Sequence, residues 1–300
     1  MDQELFQKNV ALLSSQTAAE RHIVPGHTAP LPSVDAVERI VELVKKLVFP
    51  GFFDLRHGDS GIRSYHIGVY IEQLQQLLSK QIELALLFDD SNCQCTVHTA
   101  ADDLATRLID QLPEIKRLLL TDVRAIYEKD QSVCNYSEVI FCYPVIRAMV
   151  HYRTAHALHE MGVPILPRII TEQAHAITGI DIHPGAKIGE YFAIDHGTGV
   201  VIGETCVIGN HVTLYQGVTL GARAGSGERE SRSCREVIAR HPILEDRVTV
   251  YSNSTLLGRI TIGHDTIIGG NVWVTHDLAP YSHILQGKAQ DVGFTDGAGI

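Results

Sequence analysis

Two adjacent residues that can carry chemistry, Asp195 and His196, stand in a repetitive stretch of aliphatic residues and glycines at positions 193–221. Histidine takes up and releases a proton near neutral pH, as a general base must. A further carboxylate, Asp181, precedes His196 by 15 residues. A carboxylate that contacts an imidazole can hold its tautomer and stabilise its protonated form. Whether these side chains meet depends on the elements that carry them.

The repeat around this pair has a period of six residues. It begins at Ile182, slips by two residues after Ile194, resumes at Ile202 and continues beyond a long insertion. Glycine often follows the repeated residue directly. The thirteen repeated positions all hold Ile, Leu or Val: Ile182, Ile188, Ile194, Ile202, Ile208, Leu214, Leu220, Leu244, Val250, Leu256, Ile262, Ile268 and Val274.

A period of six fits neither common element, because a helix repeats every 3.6 residues and a strand every two. It fits a prism-shaped parallel β-helix, in which each hexad forms one short side and its first residue points into the core. Glycine permits the sharp corner between two sides. Three hexads complete a coil, so the thirteen hexads predict about four coils. The interval from Asp181 to His196 is close to one coil, which would bring the two residues onto neighbouring coils.

The chain divides where this periodicity changes. Residues 1–178 are expected to form a helical N-terminal domain whose first thirty or so residues are weakly ordered. Residues 179–286 are expected to form the β-helix, interrupted by a long loop at 221–241. Residues 287–300 have lost the rhythm and are expected to be a flexible tail.

Local signals predict where the helices begin and end. Ser33 is a typical N-cap, and Pro50 should end the helix that follows it. We expect a break near Pro113 and a new helix capped by Thr121. One long or kinked helix should follow from Tyr136.

Composition and charge exclude several classes of protein. The chain has 300 residues with 25 basic and 35 acidic side chains, a net charge of −10, which argues against binding nucleic acid through phosphate contacts. The N-terminus lacks the features of a signal peptide, and no stretch approaches the ~18 apolar residues of a membrane span. Six irregularly spaced cysteines complete no metal-binding pattern. We expect a cytoplasmic protein that contacts neither membranes nor nucleic acid.

Several motifs in order resemble the hexapeptide-repeat acyltransferases, and more narrowly the serine O-acetyltransferases. The resemblance implies an α+β chain with a left-handed parallel β-helix after the helical domain, and three prisms associated side by side. The pair "DIHP…DHGTG" after a helical domain is far more specific than the hexad repeat. The motifs are "DVRAIYEKD", Tyr136-Ser137, "DIHPGAKIG", "DHGTGVVIGET", Arg240-His241-Pro242 and the final "DGAGI".

The resemblance implies acetyl transfer from acetyl-CoA to L-serine, giving O-acetylserine for cysteine synthesis. His196 matches the family's general base and Asp181 the carboxylate paired with it. A hydroxyl is a poor nucleophile at neutral pH, so its attack on a thioester needs such a base. The thioester is already activated, so neither a cofactor nor a metal is expected, with acetyl-CoA as co-substrate.

The substrate's own charges call for partners of opposite sign. Asp130 and Asp195 match the family's positions for the serine ammonium group. Arg240 and His241 match its positions for the carboxylate, for which an Arg fork or a protonated His is suited.

Acetyl-CoA is implied to lie in the groove between neighbouring prisms. Gly221 and Ala222 match the family's cofactor-side positions, although Ala222 replaces a glycine that is usual there. The Arg-rich loop 221–241 could fold over acetyl-CoA or remain solvated. The resemblance also implies a homotrimer or hexamer, inhibition by L-cysteine, and docking of the C-terminal Ile300 into O-acetylserine sulfhydrylase.

Two alternatives use the same scaffold. One is acetylation of another hydroxyl acceptor, such as a sugar, although those enzymes lack the long helical domain and the Asp130 motif. The other is a γ-type carbonic anhydrase, for which His183, His211 and His264 would supply imidazoles to zinc. The closely spaced pair of histidines typical of that enzyme is missing.

Overall fold

The computed structural model describes residues 2–15, 17, 30–53, 60–88, 94–223 and 238–287. Within these residues the chain forms helices as far as Thr178 and short parallel strands from Asp181 onward. This order confirms the expected α+β class, a helical N-terminal region followed by a parallel β-helix. The helices are α1 (Gln3–Ser14), α2 (Val34–Val48), α3 (Ser60–Phe88), α4 (Gln94–Lys129), α5 (Tyr136–Cys142), α6 (Pro144–Glu160) and α7 (Leu166–Thr178).

The strands form the three sides of a prism, and each strand pairs in parallel with strands of the neighbouring coils. The first side holds β1 (Asp181–Ile182), β4 (Val201–Ile202), β7 (Thr219–Gly221), β10 (Thr255–Leu257) and β13 (Trp273–Val274). The second side holds β2 (Lys187–Ile188), β5 (Val207–Ile208), β8 (Ile243–Leu244) and β11 (Thr261–Ile262). The third side holds β3 (Ala193–Asp195), β6 (Thr213–Tyr215), β9 (Thr249–Val250), β12 (Ile267–Ile268) and β14 (His283–Ile284).

The hexad rule accounts for the core of the prism. All thirteen repeated positions point inward, and only Ile188 among them is half-buried rather than buried. Small or aliphatic residues fill the inside of the corners, such as Ala186, Cys206, Val212 and Val218. The interior of the prism and the buried faces of the helices form one continuous apolar core.

The two-residue slip of the repeat has a structural consequence at His196. Val201 pairs with Asp181, 20 residues earlier, whereas Thr219 pairs with Val201, 18 residues earlier. The two extra residues lie between the third and first sides of the prism. They produce a five-residue turn at positions 196–200, called the His196 turn below, where the next coil has three residues.

The helix signals are confirmed at α2 and wrong within α4. The Ser33 side chain accepts a hydrogen bond from the Ala36 backbone N–H (3.3 Å), and α2 ends at Val48, just before Pro50. However, α4 runs unbroken through Pro113. Pro113 faces solvent, so the carbonyl that it leaves unbonded can be hydrated. No helix begins at Thr121, which lies inside α4. Its hydroxyl donates to the carbonyl of Leu118 and accepts from the backbone N–H of Tyr191 (3.1 Å).

The expected long helix after Tyr136 is two helices. Tyr143 is extended because proline disfavours helical geometry at the residue before it, and Pro144 then begins α6. Near the N-terminus the sequence pattern predicted weak order, whereas residues 3–14 form α1, which buries none of its side chains.

Buried polar contacts attach α4 to the first coil of the prism. Asp122 and Arg153 form an ion pair in which Nε and Nη2 of the guanidinium each lie 2.8 Å from the carboxylate. Arg153 also donates to the carbonyl of Gly189 (3.0 Å), and the backbone N–H of Phe192 donates to Asp122 (3.2 Å). The docking holds the C-terminal end of α4, which leads into Asp130, close to the strand that ends at Asp195.

Candidate active site

The His196 turn presents an imidazole to solvent. His196 has a positive φ of 57°, a conformation uncommon for a residue with a Cβ, and its side chain is 74% exposed. Gly197 follows with φ of 90°, and a Cβ there would lie 2.6 Å from Ile180 Cδ1. Glycine is therefore required for the chain to turn back after His196.

A carboxylate from the helical region is held near this imidazole. Asp130 accepts hydrogen bonds from the backbone N–H and the hydroxyl of Ser132 (2.8 and 2.6 Å) and from the Tyr143 hydroxyl. The Ser132 hydroxyl, followed by the Tyr143 hydroxyl and the other hydrogen bond from Ser132, lowers the pKa of Asp130, and the charge of nearby His196 lowers it further. Asp130 is therefore a carboxylate at neutral pH, oriented from both sides.

The third side of the prism supplies the rest of this cluster. Asp195 Oδ1 lies 3.7 Å from Nε2 of His196. Tyr215 pairs with Asp195 one coil later and stacks on Tyr251, with ring centroids 4.7 Å apart. Burial and then the charges around it, Asp195 and Asp130 included, raise the pKa of Tyr215. Asp195 therefore lies between the imidazole of His196 and the stacked rings of Tyr215 and Tyr251.

Asp181 lies one coil from this turn and faces a different group. Its backbone N–H donates to the carbonyl of Val200 in the His196 turn (2.9 Å). Its carboxylate lies with the ligand atoms of Glu172 and His175, all within 4.8 Å of one another. Among the described residues no hydrogen bond or ion pair joins the Asp181 carboxylate to His196, so the dyad stays a prediction.

Arg240 and His241 lie at another corner, between the first and second sides. There the turn that links β4 to β5 meets the chain as it returns from the long loop. Nη2 of Arg240 lies 3.8 Å from Oε2 of Glu204, and half of the Arg240 side chain is exposed. His241 is only 7% exposed. This corner, with its residues 203–205 and 240–241, is called the Arg240 corner below.

Hydrogen bonds fix the backbone and the ring at the Arg240 corner. The Thr205 hydroxyl accepts from the backbone N–H groups of Arg240 (2.9 Å) and His241 (3.0 Å). Nη1 of Arg259 donates to the carbonyls of Thr205 (2.7 Å) and His241 (3.0 Å). Burial, and then the Arg240 guanidinium, lowers the pKa of His241.

A comparison with known proteins identifies the scaffold that carries these groups. No family model matches the chain. The chain is 41% identical over 285 residues to a plasmid serine acetyltransferase of Synechococcus elongatus, which covers 93% of this chain and 89% of the relative. The chain belongs to the serine acetyltransferase family. It is therefore an acyltransferase.

Solved structures of serine acetyltransferases have the same fold over most of the chain. Isoform 3 from Entamoeba histolytica, in complex with cysteine, has a TM-score of 0.72 at 30% identity and covers 97% of this chain and 93% of that chain. The soybean serine acetyltransferase complexed with serine has a TM-score of 0.54 at 26% identity and covers 86% of this chain and 99% of that chain.

The positions implied for acetyl-CoA lie where the first side ends. Gly221 closes β7, and a Cβ on it would lie 2.8 Å from Leu257 Cδ2. Ala222 follows, half-buried, before a segment at 224–237 that lies outside the described residues. The C-terminal segment with Ile300 also lies outside the described residues.

The imidazoles of the carbonic anhydrase alternative have other partners in this serine acetyltransferase fold. His211 stacks on Tyr191 with ring centroids 4.4 Å apart, and His264 lies 2.7 Å from the Asp265 carboxylate. His183 accepts a hydrogen bond from the Gly185 backbone N–H (3.1 Å). None of the helices in the described segments has the length and hydropathy needed to cross a bilayer.

The sequence patterns did not reveal the residues whose hydrogen bonds hold the predicted site residues in place. Tyr143 lies 13 residues beyond Asp130, and no local pattern links the two. Ser132 follows Asp130 at the spacing of a turn in which aspartate accepts from the backbone two residues on, so that signal was available. Thr205 lies within the "GET" of a motif, but its contact with residues 35 and 36 positions later depends on the path of the long loop.

Proposed function

We propose that this chain transfers the acetyl group of acetyl-CoA to the hydroxyl of L-serine, giving O-acetylserine and CoA. The observation that carries the proposal is the exposed imidazole of His196, which lies beside Asp195 and close enough to Asp130 to affect its pKa. Membership in the serine acetyltransferase family supports the pair of substrates. Such a step serves cysteine synthesis, and we expect it in the cytoplasm.

His196 is the general base of the proposed reaction. Its imidazole takes the proton of the serine hydroxyl while that oxygen attacks the carbonyl carbon of the thioester. The carbon–sulfur bond then breaks, and the imidazolium returns the proton to the departing thiolate. The exposure of the ring suits this role because both substrates must reach it. Asp181 is proposed to orient the ring once the complete site is assembled.

Serine would be held at both of its charged ends. Its ammonium group would lie between Asp130 and Asp195, whose charges both raise the pKa of Tyr215. Its carboxylate would bind Arg240, which offers a planar pair of donors, and His241.

The site would be completed between chains. The His196 turn and the Arg240 corner lie at opposite edges of the first side of the prism. One serine molecule is too small to span that side, so the two halves must come from neighbouring copies of the chain. We propose that three copies form a closed ring with three equivalent sites, as a homotrimer or as half of a hexamer. Acetyl-CoA would lie in the same groove, beside Gly221 and Ala222.

Two ligands beyond the substrates follow from this assignment. Serine acetyltransferases of Entamoeba histolytica have been solved in complex with cysteine. We propose that L-cysteine competes here for the serine site, because it has the same ammonium and carboxylate groups. The C-terminal Ile300 is proposed to dock into O-acetylserine sulfhydrylase, and its deletion should abolish co-elution with that enzyme while turnover continues.

Release of the CoA thiol tests the reaction. The purified chain is incubated with acetyl-CoA and either L-serine, L-homoserine or a series of sugars, and the free thiol is titrated continuously. We expect the highest kcat/KM with L-serine, and release that is at least about a hundredfold slower with His196→Ala. A higher kcat/KM with a sugar would establish the alternative acceptor, and no release with any acceptor would refute acetyl transfer.

A further inference from the structure

Thr205 makes several polar contacts with Arg240 and His241, the two residues proposed to bind the serine carboxylate. Its hydroxyl oxygen accepts the backbone N–H groups of both Arg240 and His241. The same oxygen lies 2.8 Å from Nδ1 of His241. The backbone N–H of Thr205 also donates to that Nδ1 (3.1 Å). Thr205 therefore contacts the backbone of both Arg240 and His241, and also the imidazole ring of His241.

These contacts determine which nitrogen of His241 carries the proton. A hydroxyl oxygen has two lone pairs, and the two backbone N–H groups occupy both. The Thr205 hydroxyl proton then points to Nδ1, which already accepts the Thr205 backbone N–H. Nδ1 must be unprotonated to accept, so the neutral ring carries its proton on Nε2.

Gly203 fixes the position of that Nε2 edge. A Cβ at residue 203 would lie 2.0 Å from Cδ2 and 2.2 Å from Nε2 of His241, so only glycine lets the ring lie flat over the chain. The charged and titratable groups that face the ring are Arg240, Glu204, Arg259 and His183. Two of these are cations and disfavour a second proton on the ring.

We infer that Thr205 is a positioning residue that holds His241 as a neutral Nε2–H donor, so that Arg240 alone supplies positive charge to the substrate carboxylate. This inference rests on the proposed function. It replaces a protonated His241 by a neutral one in the proposed binding of the carboxylate. A hydrogen bond from a neutral ring favours a carboxylate in one orientation. Its strength does not fall when the pH rises through the usual pKa range of histidine.

Two matched substitutions test the kinetic part. Thr205→Val keeps the shape and the backbone N–H but removes the hydroxyl, whereas Thr205→Ser keeps the hydroxyl. We expect Thr205→Val to raise the KM for serine about tenfold, as for the loss of one well-placed hydrogen bond, with the KM for acetyl-CoA unchanged. Thr205→Ser should recover most of the difference. Equal KM values for serine in the Val variant and the wild type would overturn the inference.

Nitrogen NMR tests the tautomer without any reaction. Spectra of chain labelled with 15N in histidine are recorded for the wild type and for His241→Gln, and the signals that disappear belong to His241. We expect an unprotonated Nδ1 and a protonated Nε2 in the wild type, with exchange between the tautomers in Thr205→Val. A cationic His241 at pH 7, or an unchanged signal in Thr205→Val, would refute the positioning role.

Gly203→Ala provides a second perturbation of the same ring. The added methyl displaces His241 without changing any of its donors or acceptors, so we expect a larger increase in the KM for serine than in Thr205→Val. A normal KM for serine would show that the ring position is irrelevant. Failure of the proposed function has a different signature, because the wild type would then release no thiol with serine while the NMR result still held.

Discussion

The imidazole of His196 is exposed, whereas the imidazole of His241 is buried in a network of hydrogen bonds. The His196 ring projects from a turn that is two residues longer than the matching turn of the next coil. Asp130, whose pKa this ring affects, follows the distant helix α4. At the corner, the network is built largely within the prism, by Thr205 and Arg259.

This difference fits the two proposed roles, a general base at His196 and a carboxylate-binding group at Arg240 and His241. A general base must exchange a proton with a substrate and must stay accessible to it, so few intramolecular bonds should compete for the ring. A carboxylate-binding group performs best when its donors are oriented before the ligand arrives. The predictions below test this division, beginning with the largest expected effect.

Removal of the base should have the largest effect. His196→Ala is expected to lower kcat by about two to four orders of magnitude, the usual contribution of a positioned general base, with little change in either KM. Steady-state kinetics with both substrates measure it. Near-normal turnover would refute the assignment. Asp181→Asn should cost less, because the base remains but is less well oriented.

Loss of the guanidinium should affect binding rather than turnover. Arg240→Ala is expected to raise the KM for serine about tenfold to a hundredfold, since it removes a charged hydrogen-bonding partner of the carboxylate. The KM for acetyl-CoA should stay the same. An equal rise in both KM values would assign Arg240 to acetyl-CoA instead.

Mixing the two variants tests whether one site combines two chains. Activity is measured at serine concentrations well below the raised KM of Arg240→Ala, where that variant alone turns over little. Co-expression of His196→Ala with Arg240→Ala should then recover about a quarter of wild-type activity, because random assembly pairs an intact turn with an intact corner at one interface in four. Mixing the separately purified oligomers without exchange is the control. No recovery in co-expressed oligomers would place both halves of the site on one chain.

A smaller effect is expected where the helical region holds Asp130. Tyr143→Phe removes one of the donors to that carboxylate and should raise the KM for serine roughly threefold to tenfold. Because the lost donor had lowered the pKa of Asp130, serine binding should also fail at a higher pH on acidification. Tyr281→Phe, an exposed tyrosine elsewhere, serves as the control. Identical pH profiles would contradict the role of Tyr143.

The smallest predicted effect is on stability at acidic pH. Burial, and then the charges led by Arg168, lower the pKa of His183 to about 4, below its ordinary value of 6.5. Between these values the unfolded chain binds more protons than the folded one, so stability falls as the pH drops through this window. His183→Gln should therefore lose less Tm between pH 6.5 and 4.5, by roughly a few degrees after allowance for solvent screening. Parallel curves would contradict this.

The sequence by itself determined the prism and its approximate number of coils. The reason is that the rule for the prism is local: every sixth residue faces the core, and all thirteen such residues are at least half-buried. The slip of two residues after Ile194 was also visible, although its meaning as the longer turn of His196 was not.

Tertiary structure alone decided how the side chains of the site are grouped. Asp130 lies on the same side of the molecule as the His196 turn because Asp122 and Arg153, 31 residues apart, attach the end of α4 to the first coil. Thr205 sets the tautomer of His241 across 36 residues that include the long loop. Such contacts depend on packing between segments distant in the chain, which no local period encodes. The exposed position of Pro113 on α4, where water can hydrate the unbonded carbonyl, was likewise decided by the tertiary structure, whereas the local signal predicted a break.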